Sequence, residues 1–123
     1  PRAGAILEEF ASGWGIGRAG SAALGRPVTG KEVADLAAAG DPAAAAVFDA
    51  AAQALAEGIC SVVKLLCPRR VVVGGGVSLA GDELFFEPLR RRVAAAAFPP
   101  FAGLTDIVPA ALGEEVVVHG ALA

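Results

Sequence analysis

At 123 residues the chain has room for one small domain or for part of a larger one, and a net charge of −3 with a pI near 5.0 excludes the electrostatic footprint of a nucleic-acid binder. A hydrophobic fraction of 55% and a mean hydropathy of +0.62 are high for so short a chain, because small domains bury a smaller share of their surface than large ones. Part of this surface is therefore expected to lie against another subunit or further chain. No apolar run approaches the ~20 residues of a membrane span, since Asp49, Gln53, Glu57 and Lys64 interrupt the longest one, so no membrane partner is expected. Pro1 opens the chain without an initiator Met or a basic-then-apolar leader, as in a trimmed piece.

Taken in order, Ala5 to Ala11 reads as a helix ending at Ser12-Gly13, and Trp14, Ile16, Ala19, Ala22, Ala23 and Leu24 continue with helical spacing until Gly25-Arg26-Pro27. Trp14 reads as a packing residue. Thr29-Gly30-Lys31-Glu32 has the form of a capping box, and the short helix behind it, with Val33, Leu36 and Ala37 on one side, ends at Gly40. Asp41-Pro42 restarts the chain with an N-cap residue and Pro at the first helical position. The longest helix is expected from Ala43 to Leu66: Asp49, Gln53, Glu57 and Ser61 recur every four positions as one wet stripe, and the rest is apolar nearly all round. Cys60 and Cys67 lie about 10 Å apart along this helix at 1.5 Å per residue, too far for a disulfide. With no CxxC and a sole histidine, His119, remote in sequence, metal binding is not expected. Both cysteines read as small buried apolar side chains in a reducing cytosol, which makes the expected location cytoplasmic.

Val71, Val72 and Val73 read as a short strand buried on both faces. The strand stops at Gly74, Gly75 and Gly76, where no Cβ prevents a turn with φ > 0 or the close approach of another molecule, and the chain turns polar and helical at Asp82-Glu83. A strand, a glycine-rich turn and a helix at the carboxyl end of a parallel sheet is where nucleotides bind in α/β proteins; it is also the form of a tight turn with no ligand. Pro88 would break a helix running from 82, so a turn is placed first and a helix from Pro88 to Ala97. Arg90, Arg91 and Arg92 are the only basic run, and three consecutive residues fan around a helix. Phe98-Pro99-Pro100-Phe101 is a loop, Thr105 to Val108 a second strand parallel to the first through a right-handed crossover, and Leu112-Gly113-Glu114-Glu115 leads into a last helix to Ala123.

Two glycine patterns mimic known motifs. Gly15-Ile16-Gly17-Arg18-Ala19-Gly20 spells the dinucleotide fingerprint G-x-G-x-x-G, but it follows a helix end where the fingerprint requires a buried strand. Gly25 to Lys31 spells all but the last residue of a phosphate-binding P-loop; Glu32 stands where a hydroxyl should hold magnesium, and a capping box explains the same residues better. His119 reads as structural. The residues alone give a nucleotide wall and no catalytic base.

Several stretches together resemble the carboxyl-terminal half of the ROK family of sugar kinases and repressors, within the actin-like ATPase superfamily. Leu7-Glu8-Glu9-Phe10-Ala11-Ser12-Gly13 is similar to the family's L-E-x-x-A-S-G. Pro68-Arg69-Arg70-Val71-Val72-Val73-Gly74-Gly75-Gly76-Val77-Ser78, continuing through Glu87-Pro88-Leu89-Arg90, resembles its P-x-x-[IV]-V-[LV]-G-G-G-V…E-P-L-R run. Val108-Pro109-Ala110-Ala111-Leu112-Gly113-Glu114-Glu115…Gly120-Ala121 resembles its V-P-A-x-L-G-[DE]-[DE]…G-A tail, and Gly40-Asp41-Pro42-Ala43-Ala44 before the long helix is typical.

The resemblance implies an α/β fold, the carboxyl-terminal portion of an actin-like (ribonuclease H-like) ATPase lobe, with a short parallel sheet packed by helices and all 123 residues in one partial domain. It implies an ATP-dependent, Mg2+-requiring transfer of phosphate to a hexose, glucokinase-like, with Gly74, Gly75, Gly76 and Val77 against the nucleotide and Glu8 as a sugar-binding acid, since a carboxylate can accept hydrogen bonds from two neighbouring hydroxyls. Without that context Glu8 reads as an exposed helical glutamate. The family's zinc-binding C-x-C-G-x-x-G-C segment ends two residues before the Glu; Ile6 stands there, so no zinc is expected. The D-x-G-x-T phosphate loop and the catalytic Asp have no counterpart in the chain, so no catalytic residue is assigned and the polypeptide alone is expected to be inactive, needing an amino-terminal lobe and assembling as a homo-oligomer. Two other readings stay open: the sugar-sensing half of a ROK-type transcriptional repressor, and an actin-like ATPase of the activator or acetylglucosamine-kinase type, suggested by Ser12-Gly13-Trp14-Gly15-Ile16-Gly17.

Overall fold

The structure, a computed structural model, describes residues 6–111; the expected last helix and His119 lie outside them. Local chemistry sets the helix boundaries. Helix α1 (Glu8–Ala11) is a single turn. Ser12 ends it and caps α2 (Gly13–Leu24), its Oγ accepting the Gly15 N–H at 3.0 Å, and Gly25 at φ 67° closes α2 in the left-handed conformation. The capping box forms as expected at the start of α3 (Gly30–Ala38): Thr29 Oγ1 accepts the Glu32 N–H at 3.2 Å, and Glu32 Oε2 accepts the Thr29 N–H at 2.7 Å. At α4 (Pro42–Leu66) the Asp41 carboxylate accepts the Ala44 N–H at 2.8 Å and Pro42 occupies the first turn.

Helix α4 is the axis on which the others pack. Its Ala44, Phe48, Ala51, Ala52, Ala56, Ile59, Cys60 and Val63 are buried against α2, α3 and α5. Small alanines let those helices approach closely, and Phe48 meets Phe85 edge-on, with ring centroids 6.4 Å apart. By length and composition alone α4 could cross a membrane, despite the polar residues expected to forbid it. The packing of its buried stripe identifies it as a core helix. Its carboxyl end is not wrapped all round as the composition suggested: Leu65 is 82% and Leu66 74% exposed. Cys67 corrects a second expectation. It is the α4 C-cap at φ 45° and is exposed, because a cap residue leaves the helix face; only Cys60 is buried.

Strands β1 (Arg70–Val73) and β2 (Asp106–Pro109) pair in parallel, with Val71 opposite Ile107 and Val72 opposite Val108. Arg70 reaches Asp106 at 3.2 Å, and Thr105 donates its hydroxyl to the Pro68 carbonyl at 2.6 Å, fixing the register. The strand was expected to be buried on both faces, yet Val72 is 57% exposed. Side chains alternate across a strand, and only the face carrying Val71, Val73 and Ile107 meets the core.

Between the strands the chain departs from a simple turn and helix. A 3₁₀ segment, Gly76–Ala80, leads through Gly81 into one wide π-type turn, Asp82–Phe86, which runs without a break into α5 (Glu87–Ala96). Pro88 falls in the first turn of α5 directly after the wide turn, and the helical run continues through it where a break was expected. Phe98-Pro99-Pro100-Phe101 is the connection expected, tightened into a 3₁₀ turn over Pro99–Phe101.

Candidate functional site

The glycine turn opens onto a cleft of about 730 Å³. One wall is the 3₁₀ segment, through Gly76, Val77, Leu79 and Ala80; the opposite wall comes from the beginnings of α2 and α3, with Gly13, Trp14, Gly17, Thr29, Gly30 and Lys31. Gly75 (φ 80°, ψ −178°) and Gly81 (φ 83°, ψ 178°) bracket the 3₁₀ segment, and both conformations are essentially restricted to glycine. A Cβ on Gly75 would meet nothing within 4 Å, so its surroundings are open as well. Ser78 holds the turn closed, donating both its N–H (3.0 Å) and its hydroxyl (2.7 Å) to the Gly75 carbonyl.

The opposite wall depends on close helix contact. A Cβ on Gly17 would stand 3.0 Å from the Gly30 nitrogen, one on Gly30 2.5 Å from the Gly13 carbonyl oxygen, and one on Gly20 2.3 Å from Val33 Cγ2. The G-x-G-x-x-G spelling is thus a packing seam that brings the first turns of α2 and α3 side by side. Helix first turns carry N–H donors without intrahelical partners and the positive end of the helix dipole, of which Ser12 and Thr29 take up one N–H each. Arg18 and Lys31 add positive charge, opposed by Asp35 in the lining, by Glu9 beside Arg18 and by Glu32 in the capping box. Trp14, expected to be a packing residue, is 63% exposed at this cleft, where the Arg18 guanidinium lies 4.6 Å from its ring centroid and 3.8 Å from Glu9.

Of the residues singled out from the sequence, Gly76 and Val77 line the cleft. Gly74 and Gly75 lead up to it, exposed but outside its lining. Glu8 is exposed on α1, also outside the lining. The structure brings in Trp14, Arg18, Lys31 and Leu79, which sequence reasoning passed over; the two rejected glycine patterns contain Arg18 and Lys31 and were the signal that could have found those two. Because the helix after the turn is only a short 3₁₀ segment, the regular helix ends at this cleft belong to α2 and α3. A second cavity of about 410 Å³, between α4, α5 and β2, contains none of the predicted residues. Among the described residues no three His, Cys, Asp or Glu side chains come together as a metal site.

The sequence matches the profile of the ROK family over residues 1–123. The chain belongs to the ROK family. It is 35% identical over 91 residues to a glucokinase of Thermotoga maritima, a match covering 74% of this chain and 28% of the relative. Among solved structures, the ROK hexokinase of Thermus thermophilus superposes with a TM-score of 0.77 at 33% identity over 94% of this chain and 38% of its own. The ROK family glucokinase of Streptomyces griseus, solved in complex with glucose and AMPPNP, gives 0.76 at 26% identity, over 94% of this chain and 43% of its own. A ROK family transcriptional regulator, a homologue of the E. coli MLC protein, gives 0.71 at 21% identity over 85% and 28%, a likeness of fold alone. The fold is therefore part of the actin-like ATPase fold seen in ROK sugar kinases. The chain spans less than half the length of each of these proteins.

Proposed function

We propose that this chain is the carboxyl-terminal part of an ATP-dependent hexose kinase of the glucokinase type, in which its 123 residues form one partial domain that supplies the nucleotide wall. The observation that carries this reading is the 3₁₀ segment bracketed by Gly75 and Gly81, set across a cleft from the first turns of α2 and α3. A volume of about 730 Å³ lies in the range of small-molecule sites, and the helix ends with Arg18 and Lys31 favour an anionic ligand such as a nucleotide. The names of the T. maritima and S. griseus relatives support a glucose-like acceptor and an ATP-like donor.

In this reading Gly74, Gly75, Gly76 and Val77 present bare backbone to the adenosine and inner phosphates of ATP bound with Mg2+. Glu8 accepts hydrogen bonds from two adjacent sugar hydroxyls, fixing the sugar without taking part in proton transfer. Phosphoryl transfer is mostly positioning and electrostatic stabilisation, and the groups that clamp the transferred phosphate and orient the attacking hydroxyl come from an amino-terminal lobe, so the 123 residues alone are inactive. The whole protein is a cytoplasmic homo-oligomer. No zinc is assigned, because Ile6 occupies the position of a family zinc ligand.

The experiment is a panel of hexoses assayed with ATP on the full-length parent protein, followed by two variants. Glu8→Gln raises the KM for the sugar and leaves that for ATP unchanged. Gly75→Val puts a β-branched residue where the backbone conformation is restricted to glycine, so the turn is displaced and nucleotide binding weakens. No ATP-dependent phosphorylation of any hexose would refute the kinase reading; a helix-turn-helix upstream in the parent would favour the repressor instead.

A further inference from the structure

The 3₁₀ segment is anchored to the sheet at both ends, to the β1–β2 pair at its entry and to β2 at its exit. At its entry, Val73 accepts the Ala110 N–H at 2.9 Å, closing the β1–β2 ladder just before Gly74. At its exit, one side chain does the work that a ladder does at the entry. Arg90, in the first turn of α5, holds both oxygens of Asp82 through Nη1 at 2.9 and 3.0 Å and donates Nε to the Ile107 carbonyl of β2 at 2.9 Å. Its guanidinium also lies 5.5 Å from the centroid of the Phe86 ring, which is buried.

The ion pair alone does not account for this arrangement. The Arg90 side chain is 37% and that of Asp82 63% exposed, and an exposed pair contributes little to stability. What the geometry requires is a rigid fork that donates in two directions at once, to a strand carbonyl and to the residue that follows Gly81. A guanidinium has that shape and an ammonium does not. Gly81 needs such a restraint more than most residues: as a glycine beside a 3₁₀ segment it has many backbone conformations open to it, and the one adopted here aims Leu79 and Ala80 at the cleft.

We infer that Arg90 is a positioning residue for the nucleotide wall, clamping Asp82 to strand β2 and so fixing the angle at which the Gly76–Ala80 segment meets the ligand. This rests on the nucleotide reading of the cleft, but the clamp itself can be tested without any ligand. In the ligand-free parent protein, Arg90→Lys should speed backbone amide exchange across residues 76–82 and leave the exchange of α4 as it was. In the kinase assay the same variant should raise the KM for ATP by about tenfold, the cost of losing one charge-assisted hydrogen bond, with the sugar KM and kcat unchanged. Asp82→Asn keeps the bond to Ile107 and should give a smaller change of the same kind.

A variant that only loosened the fold would speed exchange in α4 as much as in residues 76–82, or would lower activity with both KM values unchanged; either result overturns the inference. Unchanged exchange across residues 76–82 in Arg90→Lys overturns it too. If the parent binds no adenine nucleotide, the functional reading falls, and the exchange comparison still decides whether Arg90 holds this segment.

Discussion

At the scale of single residues, the capping box at the start of α3 has a consequence for acid stability. Glu32 accepts the Thr29 N–H and the Thr29 hydroxyl, and these two bonds, with a smaller contribution from Arg26, hold its carboxyl below the ordinary glutamate range against a slight opposing effect of desolvation. A carboxyl depressed in the folded state stabilises the fold above its unfolded pKa, and that contribution is lost as pH falls through the lower, folded value. Unfolding midpoints measured from neutral pH down into the acid range should therefore fall more steeply in the native sequence than in Glu32→Gln. The amide can still complete a capping box but has no proton to take up. Parallel curves for the two proteins would show that the box does not couple to pH.

At the scale of elements, the helix boundaries were legible because each is written in local chemistry: Thr29 with Glu32, Asp41 with Pro42, Gly25 and Gly40 at helix ends. The glycines inside α2 were not, because their reason lies in another helix. Read along the chain, Gly15, Gly17 and Gly20 look like a nucleotide fingerprint. Read across it, Gly17 touches the backbone of residues 28–30, and Gly20 meets Val33, which is fully buried. The exposed Trp14, the wide turn at Asp82–Phe86 and the one-sided burial of β1 escaped for the same reason: each depends on tertiary neighbours that periodicity does not encode. The seam makes a sharp prediction. Gly20→Ala should destabilise the fold by about 1–3 kcal/mol, because the new methyl meets a β-branched side chain with no room to turn. Gly13→Ala, with nothing within 4 Å of the new carbon, should be neutral or slightly stabilising, since alanine favours helix. Denaturant midpoints of the two variants would separate them, and equal shifts would refute the seam.

At the scale of the whole molecule, the high apolar content reappears as exposed side chains. Eleven large hydrophobic residues are exposed among the described residues, and Leu65 and Leu66 at the end of α4 are the most exposed of them. Val62 lies one turn back on the same helix, and Leu7 packs beside Gly58, which continues the apolar surface onto α1. A helix end of this kind is stable in water only when something covers it or when its copies cover one another. Produced alone, the 123-residue chain is therefore expected to self-associate and to elute well above its monomer mass of 12.2 kDa. Replacing Leu65 with Lys and Leu66 with Glu should shift it toward the monomer while leaving its helix content unchanged, because neither side chain contributes to the buried core. Elution of the unmodified chain as a monomer would show that this face needs no cover, and the apolar excess would then have to be explained by the interior alone.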